Sequence, residues 1–319
     1  MTFKTAQFDA SVALQRLSEI RIPHPHIKQA VDRISLSMTT GADVEIILLV
    51  GPPGAGKSFA IEAVAGKIEQ QYEVLKSALP NAKPVISVRT PEAGDKEFSF
   101  KMLYERIREA AKEPPLVGPR PQALPWEPNT SGRGPSIGWL RDAVRKCLEV
   151  RQARLLILDE AAHILSVRNS NRLYRHAMTL KSLANDSDAV LLLVCSYDGL
   201  PFLDVDSQLT RRIELVHLAR YRDDVEEERK IFENALLTIG KRLELDEDEL
   251  RLYTEPLIER CVGCVGSLVK TFRKAVVYQN EAAGPGFDYS LLHKAMPSKS
   301  FAGRLRAEVL EAEQRIQDY

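Results

Sequence analysis

Five short apolar runs, separated by segments with helical periodicity, dominate the first two thirds of the chain. The runs consist largely of Leu, Ile and Val, which is typical of strands buried on both faces of a sheet. They are Ile46–Val50, Pro84–Val88, Leu155–Asp159, Val190–Ser196 and Ile213–Leu218. Helical spacing predicts helices between them at Ser58–Tyr72, Phe98–Lys112, Ile137–Arg151 and Leu173–Asn185. This alternation predicts an α/β fold with a five-stranded parallel sheet flanked by helices.

The pattern changes after about residue 222, where the strands stop. Helices are predicted at Asp224–Ile239, Glu247–Cys261, Val265–Ala283 and Tyr289–Met296. Residues 1–22 form a polar lead that could contain one helix, and after two prolines Ile27, Val31, Ile34 and Met38 recur at helical spacing. Residues 114–135, rich in Pro and Gly, are predicted to form a loop. We therefore expect four parts: an N-terminal extension and linker (1–40), an α/β domain (41–222), a small C-terminal helical lid domain (223–297) and a charged helical tail (298–319).

Charge and composition narrow the class of protein without deciding it. The 44 basic side chains balance 44 acidic ones, so the net charge neither favours nor excludes nucleic acid. No apolar run approaches the ~20 residues that span a bilayer, and the N-terminus lacks a signal-peptide core. We expect a cytoplasmic protein with no membrane partner. Cys261 and Cys264 form a CxxC without a second ligand pair, so we interpret them as packed helix positions.

The strongest chemical signal is the segment GPPGAGKS, Gly51–Ser58, between the first strand and the following helix. It matches G-x-x-x-x-G-K-[ST] in the strand–loop–helix context of a phosphate-binding P-loop. Glycines allow the tight turn and let backbone N–H groups approach anionic oxygens at a helix N-terminus. The predicted ATP-binding residues are Pro53, Gly54, Ala55, Gly56, Lys57, Ser58 and Phe59. Lys57 would reach the β and γ phosphates, and Ser58 would ligate Mg²⁺.

A pair of carboxylates follows the third strand. Asp159 and Glu160 end LLILDE, at the carboxyl edge of the predicted sheet where ligands bind. Asp159 would hold Mg²⁺ through water and contribute to the nucleotide site. Glu160 would polarise the attacking water as a general base. The pair therefore predicts ATP hydrolysis rather than binding alone.

Three further side chains are candidates for catalysis. Ser196 ends the fourth strand, where it would orient water, although a serine that only caps a turn is the alternative. Arg211 and Arg212 precede the fifth strand, and one of them would reach the γ phosphate of a neighbouring subunit. The sequence does not decide between the two arginines, and a pair of surface arginines is the alternative.

Together these segments resemble AAA+ transposition regulators of the TniB, TnsC and MuB family. The similarity extends over roughly 22–285 and includes His24–Ile34, Gly51–Ser58, Leu155–Leu165, Asn171–Asp186, Leu191–Tyr221 and Val262–Val276. The P-loop is common to many families, whereas the run from Asp159 to Arg212 is more specific. The resemblance implies an ATP-dependent target selector that assembles on double-stranded DNA with ATP, as a ring or helical filament. It also implies partners, a transposase and target-selection proteins, and disassembly on hydrolysis.

Two parts of the resemblance depart from the family or are weakly defined. The late motif has Ser267 where such proteins often carry the lid arginine, with Lys270 and Arg273 as possible substitutes. The resemblance places DNA-phosphate contacts near Lys96, Lys101 and Arg133, for which solvated surface charges are the alternative. The tail 298–319 could dock a transposase or pack on the lid.

The same sequence features are compatible with two other functions. One is a helicase loader or replication initiator of the same superfamily, and the other is a signalling or defence ATPase that does not use DNA. Dependence of DNA binding on ATP would separate the last from a transposition regulator.

Overall fold

The computed structural model describes residues 8–39, 44–75, 77–92, 98–112, 135–165, 169–206, 210–282 and 286–319. Lys96, Arg133 and the predicted loop up to residue 134 lie outside the described residues. Within the described parts of the chain, no helix has the length and apolar character required to cross a membrane.

A five-stranded parallel sheet forms in the α/β part, as the apolar runs predict. Its strands are β1 (Ile46–Val50), β2 (Val85–Arg89), β3 (Leu155–Asp159), β4 (Val190–Cys195) and β5 (Ile213–His217), in the order β2-β3-β4-β1-β5. Every side chain of β1 is buried, as expected of a central strand with a strand on each side of it.

The strand register aligns the ends of the strands. Val50 lies opposite Cys195, and Arg89 lies opposite Asp159. The carboxyl ends of β1, β2, β3 and β4 therefore meet at one edge of the sheet. The segments that follow these strands begin at that edge, the usual ligand-binding edge of a parallel sheet.

Within the described parts of the chain, seven α-helices and one 3-10 helix accompany these strands. They are α1 (Ala10–Glu19), α2 (Pro25–Thr39), α3 (Lys57–Glu73), α4 (Phe100–Ala110), α5 (Ile137–Val150), α6 (Ala162–Leu165), α7 (Ser170–Asn185) and the 3-10 helix Tyr197–Asp204. Side chains of Ser99, Ser136 and Asn169 accept backbone N–H groups and so fix where α4, α5 and α7 begin. The short α6 and the 3-10 helix were not predicted, because they are too short to show periodicity.

The C-terminal part is helical, as predicted. Its helices are α8 (Glu226–Leu243), α9 (Glu247–Arg251), α10 (Thr254–Arg260), α11 (Val265–Ala282), α12 (Ser290–Ala295) and α13 (Lys299–Ile316). The prediction of one helix over Glu247–Cys261 is wrong, since the structure has two with a break at Leu252 and Tyr253. Pro256 explains the break, because its ring would clash with the carbonyl of Leu252 in a continuous helix.

The chain divides into two compact units. The first contains the described residues up to Asp32, together with Gly51–Ile61 and His217–Tyr319; the second contains Arg33–Val50 and Glu62–Val216. The first unit has its own apolar core, with Leu17, Phe232 and Phe272 fully buried. The two segments of the second unit include four complete strands of the sheet and most of β5.

Helix α13 is tied to the first unit by ion pairs at the segment that follows β5. Buried Arg220 lies 3.2 Å from Glu313, Nε to Oε1, and Arg306 contacts Asp223 at 2.8 Å, Nη1 to Oδ2. Val309 on α13 is fully buried, whereas Phe301 and Leu310 are about half exposed. The tail therefore packs within this unit and still presents apolar side chains to solvent.

Two thiols of the first unit are buried rather than reactive. Burial raises the pKa of the Cys261 thiol to about 11 and that of Cys264 to about 12. Cys261 Sγ lies 3.6 Å from Thr271 Oγ1. Both thiols are therefore packed, as interpreted, but they are not helix positions, since Cys261 and Cys264 lie in the turn between α10 and α11.

A histidine–tyrosine cluster lies in the same unit. His24 Nδ1 is 2.8 Å from the Tyr221 hydroxyl, and the His26 ring stacks on Tyr221 with centroids 4.3 Å apart. Burial, with repulsion from His26, lowers the pKa of His24 and of His217 to about 4. Both imidazoles are therefore neutral in the folded protein at pH 7.

We expect the free energy of unfolding to fall as the pH drops from 6.5 towards 4.5. His24 and His217 bind protons in the unfolded chain below pH 6.5 but resist protonation in the fold, so acid favours unfolding. The lowered carboxyl pKa values of Asp223 and Glu228 act only below about 4.5, outside this interval. Urea unfolding at several pH values measures the slope, which His24→Gln should reduce. Equal stability at pH 5 and pH 7 would contradict the assignment.

Candidate active site

The predicted P-loop connects β1 to α3 and has the backbone that the motif requires. Gly54 has φ +84° and Gly56 has φ +103°, in the region that side-chain-bearing residues rarely adopt. The loop is held from within, since Ala55 N–H donates to the Pro52 carbonyl at 3.2 Å. Ala55 is buried, Pro53 and Ser58 are exposed, and Phe59 is half-buried. The two glycines therefore give the loop the tightly turned backbone that the motif predicts.

Lys57 lies folded over this loop. Its Nζ donates to the carbonyls of Gly51 at 2.6 Å and Pro52 at 3.1 Å. The ammonium group thus lies beside the loop backbone. Ser58 follows in the first turn of α3, where an exposed hydroxyl can ligate Mg²⁺.

Three of the predicted acidic and polar residues lie at the carboxyl edge of the sheet, two at the end of β3 and one after β4. Asp159 ends β3, and its Oδ1 accepts the Glu160 N–H at 2.9 Å. Glu160 adopts φ +55°, a conformation that costs roughly 1–2 kcal/mol for a residue with a side chain. Ser196 follows β4 directly and begins the 3-10 helix without a side-chain cap. This edge carries the acidic chemistry, with Glu160 in a strained conformation.

Arg89 is a residue of this edge that the sequence interpretation missed. It ends β2 opposite Asp159, and its guanidinium makes two hydrogen bonds to Glu160, at 2.6 and 2.8 Å. These bonds hold the pKa of the Glu160 carboxyl below its usual value. Arg106 of α4 donates to the Arg89 carbonyl at 2.8 Å. The paired Glu160 carboxylate is thus less available to a water molecule.

The two candidate arginines before β5 differ in their contacts. Arg212 pairs with Glu45, and its carbonyl accepts the Glu45 N–H at 3.1 Å. Arg211 is exposed, and within the described parts of the chain it has no hydrogen-bond or ion-pair partner. Both precede β5 and therefore lie at the amino edge of the sheet. This is the edge opposite to Asp159, Glu160 and Ser196.

The suggested substitutes for a lid arginine also differ. Arg273 Nη2 donates to the carbonyl of Leu17, near the end of α1, at 2.8 Å. Lys270 is exposed on α11, one turn beyond Gly266 and Ser267.

Of the predicted DNA contacts, Lys101 is half-buried on α4.

This fold and edge chemistry define the class of protein, the AAA+ ATPases. A family model described as "AAA domain" matches residues 43–202, half of the chain. The chain therefore belongs to the AAA domain family. It is also similar to a proteasome-associated ATPase of Nakamurella multipartita, 28% identical in a 72-residue alignment that covers 21% of this chain and 12% of that relative. The match therefore spans only a small part of the relative's length.

Two solved structures share the fold. The ORC2 protein of Aeropyrum pernix, in ADPNP–ADP complexes, aligns with a TM-score of 0.58 and 16% identity, covering 88% of this chain and 70% of that one. CDC6P from Pyrobaculum aerophilum aligns with a TM-score of 0.55 and 17% identity, covering 91% and 71%. At such identities the likeness extends to the fold alone.

Arg89→Ala should raise basal ATP hydrolysis if the ion pair restrains Glu160. Loss of the guanidinium frees the carboxylate and returns its pKa towards the ordinary value. Since the pair is well exposed, we expect an increase of up to about fivefold. Steady-state hydrolysis without DNA measures the effect. Lys101→Ala, which removes a positive charge from α4, serves as the control. A slower Arg89→Ala enzyme would instead assign Arg89 a supporting role in catalysis.

Proposed function

We propose that this protein is an ATP-dependent regulator of DNA transposition, a target selector that assembles on duplex DNA. ATP would lie on the backbone of Gly54–Ser58, with Lys57 at its β and γ phosphates. Ser58 and, through water, Asp159 would hold Mg²⁺, which supplies charge neutralisation during phosphoryl transfer. Glu160 would accept the proton of the attacking water, and Ser196 would help orient that water.

The observation that carries the assembly part of the proposal is the difference between Arg211 and Arg212. Arg212 is held by Glu45, whereas Arg211 is exposed and has no partner within the described parts of the chain. Because Arg211 precedes β5, it lies at the sheet edge opposite to Glu160. A guanidinium so placed suits the phosphates of a neighbouring subunit rather than its own. A head-to-tail contact of this kind builds rings or filaments.

The DNA and transposase parts rest on the resemblance of the run from Asp159 to Arg212 to transposition regulators. Lys101 on α4, with Lys96 and Arg133, would contact phosphates largely without regard to sequence. Exposed Phe301 and Leu310 on α13 would offer apolar contacts to a transposase or target-selection protein. Hydrolysis would then dismantle the assembly.

A replication initiator or helicase loader is the second candidate, favoured by the fold likeness to the ORC2 protein and CDC6P. The two functions differ in what DNA they need. A transposition regulator should coat duplex of any sequence in proportion to its length. An initiator should prefer particular sites.

A subunit-mixing experiment tests the trans arrangement. Arg211→Ala keeps its own nucleotide site but lacks the finger, and Lys57→Ala lacks the nucleotide but keeps the finger. Each alone should hydrolyse ATP at least about 10³-fold more slowly, the scale of an arginine finger. Their mixture should recover activity, because one subunit type supplies what the other lacks.

The control for this experiment is a mixture of Arg212→Ala with Lys57→Ala. We expect Arg212→Ala alone to retain most of its ATP hydrolysis activity, since Arg212 forms an ion pair with Glu45 in its own chain. No recovery in the Arg211→Ala mixture, with both variants folded, would rule out the trans finger.

Glu160→Gln should keep ATP but stall hydrolysis by about 10²–10⁴-fold, the usual contribution of a general base. Assemblies on duplex DNA should then persist after dilution, whereas wild-type assemblies dissociate. Filter binding with ATP, with ADP and without nucleotide, over a range of salt, provides the measurement. Equal binding to duplex DNA with ATP, with ADP and without nucleotide would contradict the proposal, and so would hydrolysis by Glu160→Gln at the wild-type rate.

A further inference from the structure

The first turn of α11 lies directly against the P-loop within the first compact unit. Gly266 N–H donates to the Gly54 carbonyl at 2.8 Å. A Cβ added at Gly266 would lie 2.7 Å from the Gly54 carbonyl oxygen, and one added at Gly54 would lie 2.4 Å from Ser267 Oγ. The backbones therefore approach so closely that each position requires a residue without a side chain.

This contact fixes one peptide plane of the P-loop at both ends. Gly266 holds the carbonyl of the Gly54–Ala55 peptide, and the Pro52 carbonyl accepts its N–H at 3.2 Å. A peptide group that is bonded on both sides cannot rotate without losing a hydrogen bond. The direction of the following amides, at Gly56 and beyond, depends on this plane.

The position of Gly266 in its helix explains why its N–H is available. The N–H groups of a first helical turn have no acceptor within the helix and need one elsewhere. Gly266 finds its acceptor in the P-loop. Glycine weakens a helix relative to alanine, so its presence here is accounted for by the close approach and not by helix formation.

We propose that Gly266 is a positioning residue of the phosphate site, through which α11 holds the P-loop in its binding form. The coupling is reciprocal, so bound nucleotide must restrain α11 by the same free energy. Through the hydrogen bond from Gly266 to Gly54, the helical lid would contact the phosphate site with backbone atoms. A lid arginine is not needed for this contact, and Ser267 occupies that position. This inference rests on nucleotide binding by Gly54–Ser58 as proposed above.

Gly266→Ala tests the proposal, with Gly303→Ala as the matched control. Gly303 is a helical glycine of α13 with nothing within 4 Å of an added Cβ. Titration with a fluorescent ADP analogue, in the absence of DNA, should show Gly266→Ala binding about tenfold more weakly, the scale of one lost hydrogen bond. The unliganded variant should stay folded, with a melting temperature at most a few degrees lower, because the helix preference of alanine offsets part of the cost of the close contact. Gly303→Ala should bind as wild type does.

Equal affinity of Gly266→Ala and wild type would overturn the inference and leave the proposed site intact. Binding that equals wild type once it is corrected for the unfolded fraction of the variant would also overturn it, because the effect would then be one of folding. A wild-type protein that binds no nucleotide would overturn both the site and the inference.

Hydrogen exchange of the wild-type protein provides a test without any variant. The Gly266 amide is not protected by its own helix, so its exchange reports the contact with Gly54. ADPNP with magnesium should slow that exchange at least severalfold, with no change at Gly303. An unchanged Gly266 amide in the saturated protein would overturn the coupling.

Discussion

The parallel register of the sheet is the constraint on which the site depends. Because the strands run in one direction, the segments after β1, β3 and β4 begin at one edge, while β5 is entered from the other. Val50 opposite Cys195 fixes this alignment, and Gly51 follows at once. The acidic residues Asp159 and Glu160 share that edge. The same register places Arg211 at the far edge, so that the chemistry proposed here calls for a second subunit.

Much of the fold could be predicted from the sequence because buried parallel strands are continuous apolar runs. Ile46–Val50 and Leu155–Asp159 match the observed strands residue for residue. The helices that were predicted wrongly or not at all have local causes. Pro256 interrupts what the periodicity suggests is a single helix, since periodicity reports which face is apolar and not whether a backbone bond can form. Short elements such as Ala162–Leu165 contain too few residues to show a period.

The site residues that could be predicted have conformations set by their near neighbours in the sequence, whereas those that were missed depend on distant partners. Gly54 and Gly56 were predicted because the loop's conformation is set by its own glycines. Arg89 was missed because its partner Glu160 lies 71 positions away, and nothing in the sequence near Arg89 indicates the pair. Adjacent Arg211 and Arg212 could not be told apart for a similar reason, as Glu45 lies 167 positions from Arg212. Aligning the ends of β2 and β3 could have indicated that Arg89 lies beside Asp159 and Glu160. The contact between Arg212 and Glu45 is evident only in the folded structure.

The most direct test of the account is a crystal structure of the protein with ADPNP and magnesium. The account predicts a triphosphate cradled by the amides of Gly54–Ser58, magnesium beside Ser58 and Asp159, and the Gly266–Gly54 hydrogen bond intact. A nucleotide bound elsewhere, or a Lys57 ammonium still bonded to the carbonyls of Gly51 and Pro52 at saturating ADPNP, would contradict it.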